Sequence, residues 1–589
     1  MTDRIIKSFD IWTTAQGLKS KGRIKSIENI SLEGIARLRE LILEFAVRGK
    51  LVTQDPIEEP AKILLKKIAN IKDSFVKDGL IKKQKTIPEI GNSETPFKLP
   101  NGWEWTRLDA VSPMSLADGD WIETKDQDIN GNVRLVQLAD IGEGYFINKS
   151  EKYINEETFK RLNCTALQKG DILIARLPSP IGRCCIFPDL KQKAITAVDV
   201  AILRTLDICL KDYLVYAINS NFFRNQIELF GKGVTRFRIS TGNLKSILLP
   251  LPPLAEQHRI VAKVDELMAL CDKLEEQKTN NLKIHQLLVK TILDTLTQAT
   301  DDNELQASWE RMATHFDTLF CTEDSFDQLK QTLLQLAVMG KLVPQDPNDE
   351  HAIELLKKVK AAKNRLIAGN VVRKEKIDIQ SNDIKSNYLP NGWAFTYMLD
   401  ITSVITCGIA STPQYFDKGE IFLSAKNVKP FKFMPEEHKF VDKETYRKII
   451  SWGTKPEKGD ILLTRVGAGI GEAAVIDQDI DFAYYVSLTL IKPIQPFINP
   501  HYLLLWINSP EGVNKALENI YGRGVSQGNL NVNQVRRFVV PIPPIEEQHR
   551  IVDKVDELFT ICDALKLNIL KAEDIKVQLA EAIAESAPA

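Results

Sequence analysis

No apolar run in this 589-residue sequence approaches the roughly 20 residues that a membrane-spanning helix requires. Its opening, MTDRIIKSFDIW, has neither the apolar core nor the cleavage site of a secretory signal, so a cytoplasmic protein without membrane partners is expected. The eight cysteines, Cys164, Cys184, Cys185, Cys209, Cys271, Cys321, Cys407 and Cys562, include no CxxC pair and read as reduced, mostly buried thiols. No GxxxxGK[ST] loop is present to cradle a nucleoside triphosphate. Gly467, Gly469 and Gly471 imitate a dinucleotide loop, but Glu472 stands where the last glycine of GxGxxG belongs, which leaves a tight turn between strands. No NPPY- or DPPY-type phrase is there to hold a flipped adenine, so methyl-transfer chemistry is not expected of this chain. Pro188 and Asp189 open a nuclease-like phrase, but no second carboxylate and lysine complete a metal site. With 77 Lys and Arg against 78 Asp and Glu, the net charge of -1 gives no bulk attraction to nucleic acid, so any DNA binding must come from local patches.

What the sequence has is repetition. PPLAEQHRIVAKVDEL begins at residue 252 and returns as PPIEEQHRIVDKVDEL at residue 543, the copies differing only at Leu254/Ile545, Ala255/Glu546 and Ala262/Asp553. The prolines stop what precedes them and open a helix. Ile260, Val264, Leu267, Cys271 and Leu274 step by four and three, the seam of a coiled coil, and Ile551, Val555, Leu558, Cys562, Leu565 and Ile569 repeat it. Upstream, Ser31 reads as a helix cap before Ile35, Leu38, Ile42 and Phe45, with Gly49 as the stop. Phe326, Leu329, Leu333, Leu336 and Gly340 answer them. Both helices run into one phrase, AVRGKLVTQDP and AVMGKLVPQDP, and then into further helices from about Ala61 to Lys77 and from about Ala352 to Ile367.

The period changes after LPNGW, which contains Trp103 in the first half and Trp393 in the second. Short β-branched and aromatic runs with many glycines follow, interrupted in each half by KGDILIAR (169–176) or KGDILLTR (458–465). A chain this long implies about three to five folding units. We divide it into an N-terminal arm and helical region (1–98), a globular α/β domain (99–252), a central helical region (253–388), a second α/β domain (389–543) and a C-terminal helix (544–589). The fold class is α+β, with long antiparallel coiled-coil helices holding two globular domains apart in a pseudo-twofold internal repeat. The last helix has no successor in the chain, so equivalence of the halves requires it to pack near the helices at 31–77.

One feature favours nucleic acid. No acidic residue occurs from Leu229 to Ala255 or from Asn519 to Ile545, and the loops GKGVTRFRISTGN (231–243) and GRGVSQGNLNVNQ (522–534) are rich in side chains that pair with phosphates and base edges. The candidate DNA-binding residues are Lys232, Thr235, Arg236, Arg238, Arg523, Ser526, Gln527 and Asn529. A coiled-coil adaptor that binds only protein would also explain the helices. His258 and His549, which recur in EQHR, read as structural groups at a helix start.

The PP-helix phrases, the paired KGDI phrases, the LPNGW domain starts and the opening LRELILEFAVRGKLV resemble the specificity subunit of type I restriction-modification enzymes, from about residue 31 to 585. The helical opening is similar to the subgroup with an extended N-terminal region. The resemblance implies that 99–252 and 389–543 are target recognition domains, each reading one half of a bipartite double-stranded DNA site. It implies two methyltransferase subunits, which bind S-adenosylmethionine and methylate adenine N6, and two motor-nuclease subunits that use ATP. The chain itself is then expected to be non-catalytic and to hold no cofactor or metal.

Overall fold

The computed structural model describes residues 17–18, 30–81, 89–91, 93–205, 210–232, 237–372, 389–450, 454–521 and 528–586. The chain divides into two units, the first comprising Met1–Leu282 with Ala572–Ala589 and the second Lys283–Lys571.

In the first unit, the helix Glu33–Val47 buries Ile35, Leu38, Ile42 and Phe45 along one stripe, as the spacing predicts. Its cap is Leu32 and not Ser31, and no side chain bonds the first turn; the apolar Leu32 packs against the core. Gly49 ends the helical phrase at φ +65°, a left-handed conformation that glycine adopts without steric cost. A Cβ there would collide with the Pro100 ring of LPNGW, so the residue also permits close packing. Ala61–Lys77 follows. The long helix Leu254–Gln298 places Ile260, Val264 and Cys271 in the same core as Phe45. Each aliphatic side chain so buried contributes about 1.5–3 kcal/mol. Val577, Ala580 and Ile583 of the helix Ile545–Ser586 join that core, and Arg37 pairs with Glu581 at 2.9 Å. The last helix therefore packs on Glu33–Val47, as equivalence of the halves requires.

The sheet-rich part of this unit holds a four-stranded antiparallel sheet in the order Ala117–Asp118, Val200–Leu203, Ile172–Ala175, Cys184–Ile186. The ILIA run of KGDILIAR is wholly buried because both faces are covered: Ile172 and Ile174 share a core with the helix Lys211–Asn219, which packs on the adjacent strand Cys184–Ile186, while Leu173 enters a smaller core with Val136 and Phe187. Tyr153–Ile154, Val133–Val136 and Ala194–Thr196 form a three-stranded sheet, and Glu104–Arg107 pairs with Leu248–Leu251, closing the domain just before the long helix.

The second unit repeats the plan. Glu323–Val338 and Ala352–Ala368 precede a four-stranded sheet ordered Thr402–Cys407, Leu488–Pro493, Ile461–Thr464, Ala473–Val475. Lys439–Val441, Glu420–Leu423 and Phe482–Tyr484 make the three-stranded sheet, and Ala394–Tyr397 pairs with Val539–Ile542. Cys562 is buried among Phe326, Leu329 and Leu333, with Val289, Leu293 and Leu296 from the first long helix in the same core. The glycine phrase at 467–471 is a tight turn between two strands, closed by the Gly471 N–H on the Thr464 carbonyl at 3.0 Å. Of the seven described cysteines, all free, five are buried; burial pushes the Cys185 thiol up to about 12 and that of Cys271 to about 11. Among the described residues no helix is long and apolar enough to cross a membrane.

Candidate nucleic-acid interface

The EQHR phrases tie each sheet-rich domain to its helix. The Glu256 carboxylate accepts Trp103 Nε1–H at 2.9 Å and the Gln54 amide at 3.1 Å; Glu547 accepts Trp393 at 3.0 Å and Gln345 at 3.1 Å. Gln257 donates to the Pro252 carbonyl and accepts the Leu210 N–H, as Gln548 does with Pro543 and Asn499. Burial raises the pKa of both glutamates, against the lowering effect of those hydrogen bonds. His549 Nδ1 lies 3.0 Å from the Asn499 amide at this junction, a structural placement.

The KGDI phrases build the next layer. Gly170 and Gly459 turn the chain, and the following aspartates accept backbone N–H groups of Gln168 and Glu457. Asp171 accepts two bonds from the Arg204 fork at 2.7 and 2.6 Å; Asp460 instead meets the Lys492 ammonium at 2.6 Å. Burial raises the Asp460 pKa, with Lys492 opposing.

The arginine that ends each phrase gathers the loops. Arg176, 5% exposed, donates Nε–H to the Ile239 carbonyl at 3.0 Å and Nη1–H to the Val198 carbonyl at 3.1 Å. Its backbone pairs with Asp199 and Ile239, and Asp118 accepts both Arg176 and the Thr241 hydroxyl. Burial lowers the Arg176 pKa, with Asp118 opposing. Arg465, 8% exposed, donates to Leu530 at 2.8 Å, to Val486 at 3.1 Å and to Asn529 Oδ1 at 2.6 Å, and its backbone pairs with Ser487 and Leu530. Each arginine thus joins a strand end, the 197–199 or 485–487 turn, and the base of an acid-free loop. The strand that precedes each first loop also comes close: a Cβ on Gly119 or Gly408 would collide with the carbonyl of Ala197 or Tyr484.

Among the candidate residues, Lys232 is exposed and its backbone bridges that of Arg238 in both directions, at 2.9 and 3.0 Å. Arg238 is half-buried, donates Nη2–H to the Val198 carbonyl at 3.1 Å and faces Asp199 at 3.8 Å. Asn529 is exposed, with its oxygen taken by Arg465; a guanidinium has only donors, so the amide presents N–H to solvent. Thr235, Arg236, Arg523, Ser526 and Gln527 lie outside the described residues. Lys232 and Arg238 fall on one loop base and Asn529 on the equivalent base in the other unit. Sequence reasoning used the KGDI phrases only as landmarks and missed Arg176 and Arg465. Recurrence of a terminal arginine in both phrases was the available signal. Among the described residues no group of three His, Cys, Asp or Glu side chains could hold a metal ion.

A family model described as the type I restriction modification DNA specificity domain matches residues 100–283 and 449–572. The chain is 34% identical to the EcoAI type I restriction enzyme specificity subunit of Escherichia coli, over 99% of both chains. It is 33% identical to the EcoEI specificity subunit of the same organism, over 100% of this chain and 99% of that one. Among solved structures, the HsdS subunit from Thermoanaerobacter tengcongensis aligns with 84% of this chain and 98% of its own at 18% identity, with a TM-score of 0.37.

Proposed function

Because this chain belongs to the specificity subunits of type I restriction-modification enzymes, we propose that its two sheet-rich domains read the two halves of a bipartite double-stranded DNA site. One observation carries this reading: the same arginine-centred loop base is built twice, at Arg176 and Arg465, beneath loops of different sequence. A scaffold repeated with altered rims suits two readers of unlike targets, with phosphate contacts setting register and base-edge contacts discriminating.

On this reading the domains are 99–252 and 389–543, and the helical regions 1–98, 253–388 and 544–589 set their spacing through antiparallel pairing. The long helices have 45 and 42 residues, about 65 Å each at 1.5 Å per residue, against about 34 Å per turn of DNA. The chain selects the site and performs no chemistry. Two methyltransferase subunits with S-adenosylmethionine transfer methyl to adenine N6, and two motor-nuclease subunits with ATP carry out restriction, in the cytoplasm. Lys232, Thr235, Arg236, Arg238, Arg523, Ser526, Gln527 and Asn529 are the residues assigned to DNA contact.

Co-expression with the partner methyltransferase followed by genome-wide mapping of N6-methyladenine tests this. A bipartite motif is expected, and exchanging residues 99–252 for another such domain changes one half of it. Absence of any sequence-dependent methylation, or a change in both halves, contradicts the reading.

A further inference from the structure

Resting on that reading, we infer that Arg176 and Arg465 are positioning residues for sequence discrimination, each acting on its own half-site through the loop it holds. Both side chains are buried, yet most of their bonds go to loop carbonyls and not to the sheet that surrounds them. Arg176 joins Val198 to Ile239, and Arg465 joins Val486 to Leu530, with the same nitrogens used in each case. Ile239 is three residues beyond the 233–236 stretch, and Leu530 is three residues beyond 522–527. The clamps therefore fix the bases of the loops that carry most of the candidate contacts.

They also set hydrogen-bond polarity. Recognition of adenine by asparagine needs both the amide oxygen and the amide N–H of one side chain. Arg465 occupies one lone pair of the Asn529 oxygen at 2.6 Å and so fixes which way the amide faces, with its N–H group turned outward as the donor. Arg238 has one Nη2–H on the Val198 carbonyl and a buried Nε without a partner, so only its remaining Nη hydrogens can reach a base. A lysine at 176 or 465 keeps the positive charge but cannot span two carbonyls in one plane. Its effect would therefore be loss of loop geometry and not loss of charge.

The test uses the full chain assembled with its methyltransferase and carrying Arg176→Lys or Arg465→Lys. The readouts are the ratio of cognate to single-mismatch methylation at each half-site, and hydrogen exchange in the assembled complex. We expect each variant to lower discrimination about tenfold or more at one half-site and to leave the other unchanged. Faster exchange should be confined to 237–243 in one variant and 528–534 in the other. Unaltered discrimination, equal relaxation of both halves, or failure of both variants to assemble would overturn the inference. Should one variant fail to fold, the other decides alone. If the unaltered chain supports no bipartite methylation, the functional reading fails first; if it does and both lysine variants discriminate normally, only the positioning role falls.

Discussion

The two sheet-rich domains share the contacts that close them and differ most at their rims. Trp103 with Glu256 and Trp393 with Glu547 are the same contact, and so are Arg176 with Ile239 and Arg465 with Leu530. At the rim, Trp121, 68% exposed, has only Ala410 in the corresponding place after Gly408, and LPSPIG stands where the other copy has VGAGIG. Evenly shared interior bonds hold a scaffold, and unlike rims give each copy its own surface. The KGDI layer differs inside the fold: Asp171 is held by a planar fork and Asp460 by a point charge. The copies exchange the type of cation and keep the carboxylate, which also closes the KGDI turn.

That asymmetry gives the largest expected effect. Asp171→Asn removes one partner of a buried ion pair and should cost about 3 kcal/mol or more, whereas Asp460→Asn should cost less, because burial already opposes ionisation there. Chemical denaturation of both variants measures it, and equal losses would remove the distinction. Next, Glu256→Gln and Glu547→Gln leave one of two donors facing an amide N–H and should each cost about 1–3 kcal/mol, alike in the two halves.

The pH dependence of those glutamates sharpens the same comparison. Their pKa values are raised in the fold, so the native state binds protons more readily than the unfolded chain. Their contribution to stability therefore increases as pH falls from neutrality toward the ordinary carboxylate range, and decreases as pH rises through the folded pKa. Thermal unfolding across that range should show a component that disappears in the double glutamine variant; an unchanged pH profile contradicts it. The smallest effect is expected at Lys232→Ala. Stability should stay within about 0.5 kcal/mol, while the slope of log binding constant against log salt falls in magnitude by about 0.9 if the ammonium meets a phosphate.

Much of the helical framework was legible. The helix expected from about Ala61 to Lys77 has those bounds, and the three-and-four stepping of Ile35, Leu38, Ile42 and Phe45 marks a buried stripe. Ser31 was misread as a cap because the side-chain type suits one, while an apolar Leu32 makes the entry. Matched Cys271 and Cys562 are both buried, as their recurrence at one helix position suggests. The loop clamps were legible only as a recurring arginine, because most of their bonds go to backbone carbonyls and their side-chain partners, Asp118 and Asn529, are distant in the chain. Likewise Trp103 and Glu256 lie far apart in the chain, and only folding brings them together. The acid-free loops marked the region but not the roles within it: Arg238 and Asn529 are partly committed to their own domain, and Lys232 faces solvent.

Equivalence of the two domains as readers is tested most directly by duplicating one of them. A chain in which residues 389–543 also replace 99–252, co-expressed with the methyltransferase, should direct N6-methyladenine to a site whose two halves are inverted copies of the original second half. Persistence of the original first half, or methylation of a single unpaired half-site, would contradict the account.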